Sequence, residues 1–379
     1  CPSISALDPT DNQQPLTMTY SFTISQRAPF GSAFEVAYVG NQSEHLLTDS
    51  VSTTLPSDIQ NINAIPLGAM FLPDPNPDQT STACNGSPCT GQILTPDGTS
   101  AAQQDDYRPY PYYTNLLVPR HLVWANYNAL QTSWNRQKGR LNYGLNYTFS
   151  KSLGVRGGYN NGLTADPTNF RADYGPLAFD RTQVFNASYS YDEGNLFHLS
   201  RMLNGLANGW FISGITNVQS GPNLQAVYSA NLAMTGYVGT NADPTALSID
   251  NKTLLGTPDI TLMPTLTCNP TAGLQKNQFV NGSCFGIAPY GVNGPANLGY
   301  IRGPKWLNSD LTLQKRILLA DKRNLELRVS GFNFLNHPIT AFSSRYPDEA
   351  SLQMDGTSFA TAHLQNDALD MRDTRPAEG

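Results

Sequence analysis

The sequence predicts an all-β chain, an antiparallel transmembrane β-barrel portion of about eight strands plus a truncated last strand. Three observations predict it. Segments that alternate large apolar residues with small or polar ones recur along the chain, and the connections between them alternate short and long. The chain is 39% hydrophobic and only 14% charged, lean in charge for a soluble protein, yet it contains no run of the roughly 18 apolar residues that a membrane-spanning helix needs. A barrel escapes that exclusion because alternation dilutes its apolar residues. A half-buried strand of a soluble sandwich gives the same local pattern, so recurrence decides.

The clearest element is Leu141 to Ser150. Leu141, Tyr143, Leu145, Tyr147 and Phe149 alternate with Asn142, Gly144, Asn146, Thr148 and Ser150, so a strand here places one set on each face. At ~3.3 Å per residue and a tilt near 40°, ten residues climb about 25 Å, the height of the lipid-facing band of an outer-membrane barrel.

In chain order, Met18, Tyr20, Phe22 and Ile24 alternate with Thr19, Ser21 and Thr23, and the turn Ala28 to Ser32 leads to Phe34, Val36 and Tyr38 on a partner strand. From Gly40 to about Trp124 the period vanishes into Pro, Asn, Asp and Gly, a length expected of an outer loop. Asn128 to Arg136, a tight turn at Gln137-Lys138-Gly139-Arg140, and the Leu141 strand form the next hairpin. After a second long excursion, Lys151 to Arg181, come the strands at Val184 to Tyr191 and Trp210 to Gln219, joined by a medium connection, Asp192 to Asn208. A third excursion, Ser220 to Lys305, precedes Leu307 to Gln314, a turn around Ala320-Asp321-Lys322, and Leu325 to Ser330. Glu326 and Arg328 share one side of that last strand, which suits a wet lumen better than a protein core.

Short turns thus fall on one end of the strands and long loops on the other, the pattern of periplasmic turns and extracellular loops. All four tryptophans, Trp124, Trp134, Trp210 and Trp306, fall at strand ends, where amphipathic rings sit in interfacial belts.

The chain also resembles a known family. Glu35-Val36-Ala37-Tyr38-Val39-Gly40, Ile65-Pro66-Leu67-Gly68-Ala69, Arg108-Pro109-Tyr110-Pro111, Asn126-Tyr127-Asn128-Ala129-Leu130-Gln131 and Tyr147-Thr148-Phe149-Ser150-Lys151-Ser152-Leu153 are similar to phrases of TonB-dependent outer-membrane receptors of the Oar-like, acidobacterial type. Tyr174-Gly175-Pro176 with Phe179-Asp180-Arg181, Gly209-Trp210-Phe211-Ile212, Arg302-Gly303-Pro304 and Phe332-Asn333-Phe334-Leu335-Asn336-His337-Pro338 continue the series in order. The resemblance implies residence in the bacterial outer membrane and uptake of a bulky nutrient energised through TonB, ExbB and ExbD. The ligand, of carbohydrate, peptide or metal-chelate class, is not identified by any residue. The plug, the TonB box and the N-terminal carboxypeptidase-regulatory-like domain have no counterpart, and the usual final aromatic strand is missing, so residues 1–379 are expected to be a partial barrel domain, the C-terminal part of such a receptor. The alternative is a small outer-membrane barrel closing by itself and acting as a surface adhesion or binding protein.

No catalytic residue, cofactor or metal site is expected. Cys84 and Cys89, and Cys268 and Cys284, could each close a small disulfide ring, leaving Cys1 over; zinc would want tighter pairs. The five histidines are not in ligand spacing. Gly356-Thr357-Ser358-Phe359-Ala360 followed by His363 resembles the nucleophile segment of subtilisin-like proteases, but no partner segments accompany it, so the chain is not expected to be an enzyme. Asp74 with Asp78, and Asp105 with Asp106, are candidate calcium ligands whose default is solvated loop charge. A net charge of -6 without an acidic or basic block argues against nucleic acid as a partner and says little else; the partner the barrel reading expects is outer-membrane lipid.

Overall fold

A computed structural model describes residues 3–48, 60–73, 105–111, 113–155, 166–177, 179–197, 201–221, 223–228, 254–260, 265–273, 305–320, 323–337, 350–354 and 362–364, together with residue 75 and short pieces between 262 and 303. Eight long strands dominate it: β1 (Leu16–Ala28), β2 (Ser32–Leu47), β3 (His121–Gln137), β4 (Leu141–Val155), β5 (Gln183–Asp192), β6 (Trp210–Gln219), β7 (Trp306–Ala320) and β8 (Arg323–Gly331). Each pairs antiparallel with its neighbours in sequence, giving one up-and-down meander in the order β8-β7-β6-β5-β4-β3-β2-β1. Among the described residues β1 and β8 are open edges, so the sheet is not closed.

The turns follow from local chemistry. Phe30 and Gly31 take φ of 61° and 70° between β1 and β2, and Gly139 takes 78° between β3 and β4; such positive-φ turns match the twist of the strands they join. The β5–β6 connection, legible in sequence only as one of medium length, contains a helix, α1 (Arg201–Ala207). It is too short to show a helical period in sequence.

Several strands outrun their expected limits. β2 continues to Leu47 through register shifts near Ser43 and Leu46, and β3 begins at His121, so the first long connection is shorter than the lost periodicity suggested. Asn41, Gln42, Ser43 and Glu44 are polar on both faces, as strands protruding into water can be, and therefore carry no alternation. At the other end β7 and β8 reach Ala320 and Arg323. Short strands outside the meander form small sheets of their own. Ile4–Ser5, Leu116–Val118 and Gln60–Asn61 make one. Ala350–Met354 pairs parallel with Leu224–Tyr228 and antiparallel with Ala362–Leu364 and does not extend the meander. No described helix is long and apolar enough to cross a membrane.

The tightest core lies away from the meander strands, in the long connections. Ile65, Met70, Leu255, Ile260 and Met263 are at most 1% exposed, whereas Phe22, Ile24, Leu327 and Val329 on the outer strands are 52–72% exposed.

Candidate functional site

The register makes a two-faced wall of the meander. Ile24 faces Val36, then Thr132, Tyr147, Phe185, Val218 and Leu307, one continuous row across seven strands. The row beside it runs Ser25, Glu35, Ser133, Asn146, Asn186, Asn217 and Asn308. Because a strand alternates faces with period two, the first row belongs to one side of the sheet and the second to the other, and the register pairs keep that parity except at the two bulges, Leu46–Val123 and Ala320–Arg323. Both rows climb from near the short-turn end of β1 to the long-loop end of β7, the stagger that strand tilt requires in a barrel wall.

The polar side is stitched across strands. The Ser25 hydroxyl donates to Glu35 Oε2 (2.5 Å), Asn217 Nδ2 to Asn186 Oδ1 (2.6 Å), and Arg316 Nε to Glu326 Oε1 (3.1 Å). A cavity of about 540 Å³ opens against this side, lined mainly by Asn135, Asn142, Ser188, Ser190, Ser213, Asp310 and Thr312. The apolar side is exposed. There Asn128 Oδ1 accepts the hydroxyls of Tyr20 (2.9 Å) and Tyr38 (2.7 Å), and the Tyr20 ring lies so close over Gly40 that a Cβ there would fall 2.1 Å from it.

A water-facing sheet of this size would have to cover that apolar side, and nothing described does. The profile of the outer membrane beta barrel domain family matches residues 2–361. The chain belongs to that family. It is an outer-membrane protein, and its apolar rows are the barrel exterior. Among curated proteins none matches the sequence. The outer membrane transporter YddB from Escherichia coli is similar over 89% of this chain and 31% of that one, at 10% identity and a TM-score of 0.39. The chain spans less than a third of that protein's length.

At the long-loop end of this barrel segment the connections fold on one another. Arg108, its side chain 8% exposed, donates to Asp105 Oδ1 (2.7 Å), Asp259 Oδ2 (2.7 Å) and the Asn63 carbonyl (2.9 Å). Asp259 Oδ2 also accepts the Ile65 amide (2.8 Å), and the Thr257 hydroxyl donates to the Ile65 carbonyl (2.6 Å). Asn63, fully buried, donates to the carbonyls of Tyr110 and Tyr113 and accepts the Tyr110 amide. The phrases at Ile65 and Arg108 that carried the family resemblance are therefore the joints between the first and third long connections.

Of the residues singled out in sequence, Cys268 and Cys284 are joined in a disulfide with Cα atoms 4.8 Å apart. Cys1, Cys84, Cys89, Asp74, Asp78, His198 and Ser358 lie outside the described residues. Asp105 spends its carboxylate on Arg108, which makes it an ion-pair member and not solvated loop charge. His121 Nδ1 faces Asp11 (2.9 Å), and the His337 amide donates to Asn333 Oδ1 (3.1 Å). His45 belongs to β2, and His363 to the short Ala362–Leu364 strand. Trp134 and Trp210 stand at the short-turn end on apolar-face positions. At the loop end Trp124 stacks on Tyr174, and Trp306, opposite Gln219, takes the parity of the polar side.

Proposed function

We propose that this chain is the C-terminal barrel segment of a TonB-dependent outer-membrane receptor of the Oar-like type, which takes up a bulky nutrient with energy delivered by TonB, ExbB and ExbD through a part of the protein outside this chain. The observation that carries the reading is the pair of adjacent rows, one apolar and one polar, running unbroken from β1 to β7 in a meander whose outer strands, β1 and β8, are open edges among the described residues. An eight-stranded wall whose edges pair with nothing among the described residues is best explained as a sector of a wider barrel, and wide barrels leave room for a plug and a path. The ordered phrases from Glu35 to Pro338 support the same reading. In it the short turns are periplasmic, and the packed long connections face outward, where ligand is met.

The packed outer layer also favours a second reading, a surface-binding protein in which these strands close on themselves. The upstream reading frame separates the two, and so does function. In the intact gene product, uptake of its ligand should stop when TonB is deleted or the proton-motive force is collapsed; ligand binding without energy-dependent accumulation would favour the second.

A further inference from the structure

The β5–β6 connection is the long one among the short turns, and it folds onto the apolar side of the wall. Lys315 and Trp210 pair across β6 and β7 in the apolar parity, next to Ile212 and Leu313. The Lys315 ammonium donates to the carbonyls of Leu206 (2.8 Å) and Asn208 and stands 4.6 Å from the centre of the Trp210 ring, whose Nε1 donates to the same Leu206 carbonyl (3.0 Å). The C-terminal end of α1 is thereby held against the barrel exterior, and the charge of Lys315, only 6% exposed, is absorbed by helix carbonyls and an aromatic face.

Other described residues of the connection are held as well. Asn208 donates to the Phe197 carbonyl (2.7 Å) and accepts the Phe197 amide (2.8 Å). Gly209, at φ +83°, lies so close to β7 that a Cβ would sit 2.6 Å from the Arg316 carbonyl. What this fixed piece presents outward is apolar: Leu196, Phe197, Leu203 and Leu206 are 43%, 48%, 52% and 65% exposed. Turning four large apolar groups outward on a rigid connection is unfavourable in water.

We infer that this connection is an interfacial anchor, seated at the headgroup–acyl boundary of the phospholipid leaflet at the short-turn end, where it sets the height of the wall in the membrane. The inference rests on the outer-membrane placement and not on transport. Two features commit it to lipid as the occupant. The patch is continuous with the apolar exterior through Trp210 and Lys315, and the neighbouring β3–β4 turn at the same end carries exposed Lys138 and Arg140, which suit anionic phosphates.

The test places an environment-sensitive fluorophore on Leu203→Cys or Leu206→Cys, with Cys1, Cys84, Cys89 and any other free cysteine changed to serine, in the intact gene product reconstituted with phosphatidylethanolamine and phosphatidylglycerol. Both positions are exposed, so labelling does not threaten the fold. Lipids brominated near the glycerol backbone should quench both labels more than lipids brominated near the bilayer centre, with blue-shifted emission. A label on Leu130→Cys, on the apolar wall, reports the membrane itself. Unquenched labels at positions 203 and 206 beside a quenched one at 130 would overturn the anchor alone. Loss of quenching at all three would overturn the membrane seating of the wall, and the anchor with it.

Discussion

Arg302 reaches back 122 residues to close on Asp180, its Nη2 2.5 Å from Oδ2 and its Nη1 3.1 Å from the Asp180 carbonyl. The Asp180 side chain is 1% exposed and its other oxygen accepts the Ser152 amide at the top of β4 (2.7 Å), so one carboxylate ties the wall to both the second and the third long connections. Burial makes this pair a joint: an uncompensated charge left there costs far more than an exposed pair contributes.

Arg302→Ala should therefore loosen the outer layer by about 3 kcal/mol, the scale for breaking a buried ion pair, while leaving the wall intact. Limited proteolysis of folded protein in detergent should cut the long connections sooner, with heat-modifiable migration unchanged. Unaltered cutting would mean that the Ser152 amide and the Thr182 hydroxyl, which donates to Asp180 Oδ2 (3.2 Å), hold Asp180 without Arg302.

The two faces differ in tolerance of charge. Leu145 lies in the apolar parity, opposite Trp134 and Ala187, and Asn146 in the polar row between Ser133 and Asn186. Leu145→Arg should cost about 2–4 kcal/mol on the lipid side and Asn146→Arg much less. Equal losses of heat-modifiable protein would place the strand in a two-sided soluble core.

Sidedness follows from the arrangement of turns and loops. A cysteine at Lys138, in the β3–β4 turn, should be shielded from an impermeant thiol reagent added to whole cells, and one at Leu67, 44% exposed in the outer layer, should react. Reaction at position 138 alone would invert the orientation.

Residues 8–13 dock through carboxylates. The Thr10 hydroxyl, then its amide and Arg120, hold Asp8 below the usual carboxylate range; the His121 amide does most of the same for Asp11. Folding thus favours the charged forms, so the docking is complete above the unfolded carboxyl value of about 4 and fails as pH falls through the lower folded values. The His121 amide, which donates to Asp11 Oδ2 (2.8 Å), should keep its exchange protection at neutral pH and lose it in acid, after correction for the intrinsic rate. Protection that persists at about pH 2 would assign the docking to the Ile4–Ser5 pairing instead.

The wall was legible in sequence because period-two alternation is a local signal: Leu141 to Phe149 announces its face without any partner. The long-range joints were not. Nothing near Arg108 names Asp259, 151 positions away, since an ion pair leaves no periodic trace. The phrases around Ile65, Arg108, Asp180 and Arg302 marked those places only through family resemblance. The upper part of β2 was missed for the opposite reason, being polar on both sides, and α1 because seven residues make barely two turns.

The open edges lead to the last expectation, that this chain alone does not perform active transport. β1 and β8 each offer, along one side, alternate backbone amides and carbonyls that pair with nothing described. In hydrocarbon each unsatisfied group costs several kcal/mol, and an edge of 13 residues, as in β1, carries several of them. The wall must then find further strands, pair with a second copy, or join β1 to β8. Joining them would give a lumen filled by its own side chains, Glu35, Asn146, Asn186 and Asn217 among them, too narrow to pass a bulky ligand. None of these outcomes couples the wall to an energy source. Residues 1–379, exported behind a signal peptide in a receptor-deleted host, should therefore aggregate or insert without energy-dependent accumulation of any ligand. Accumulation that collapses with the proton-motive force in that strain would show the segment to be self-sufficient and would overturn the reading of it as one sector of a larger receptor.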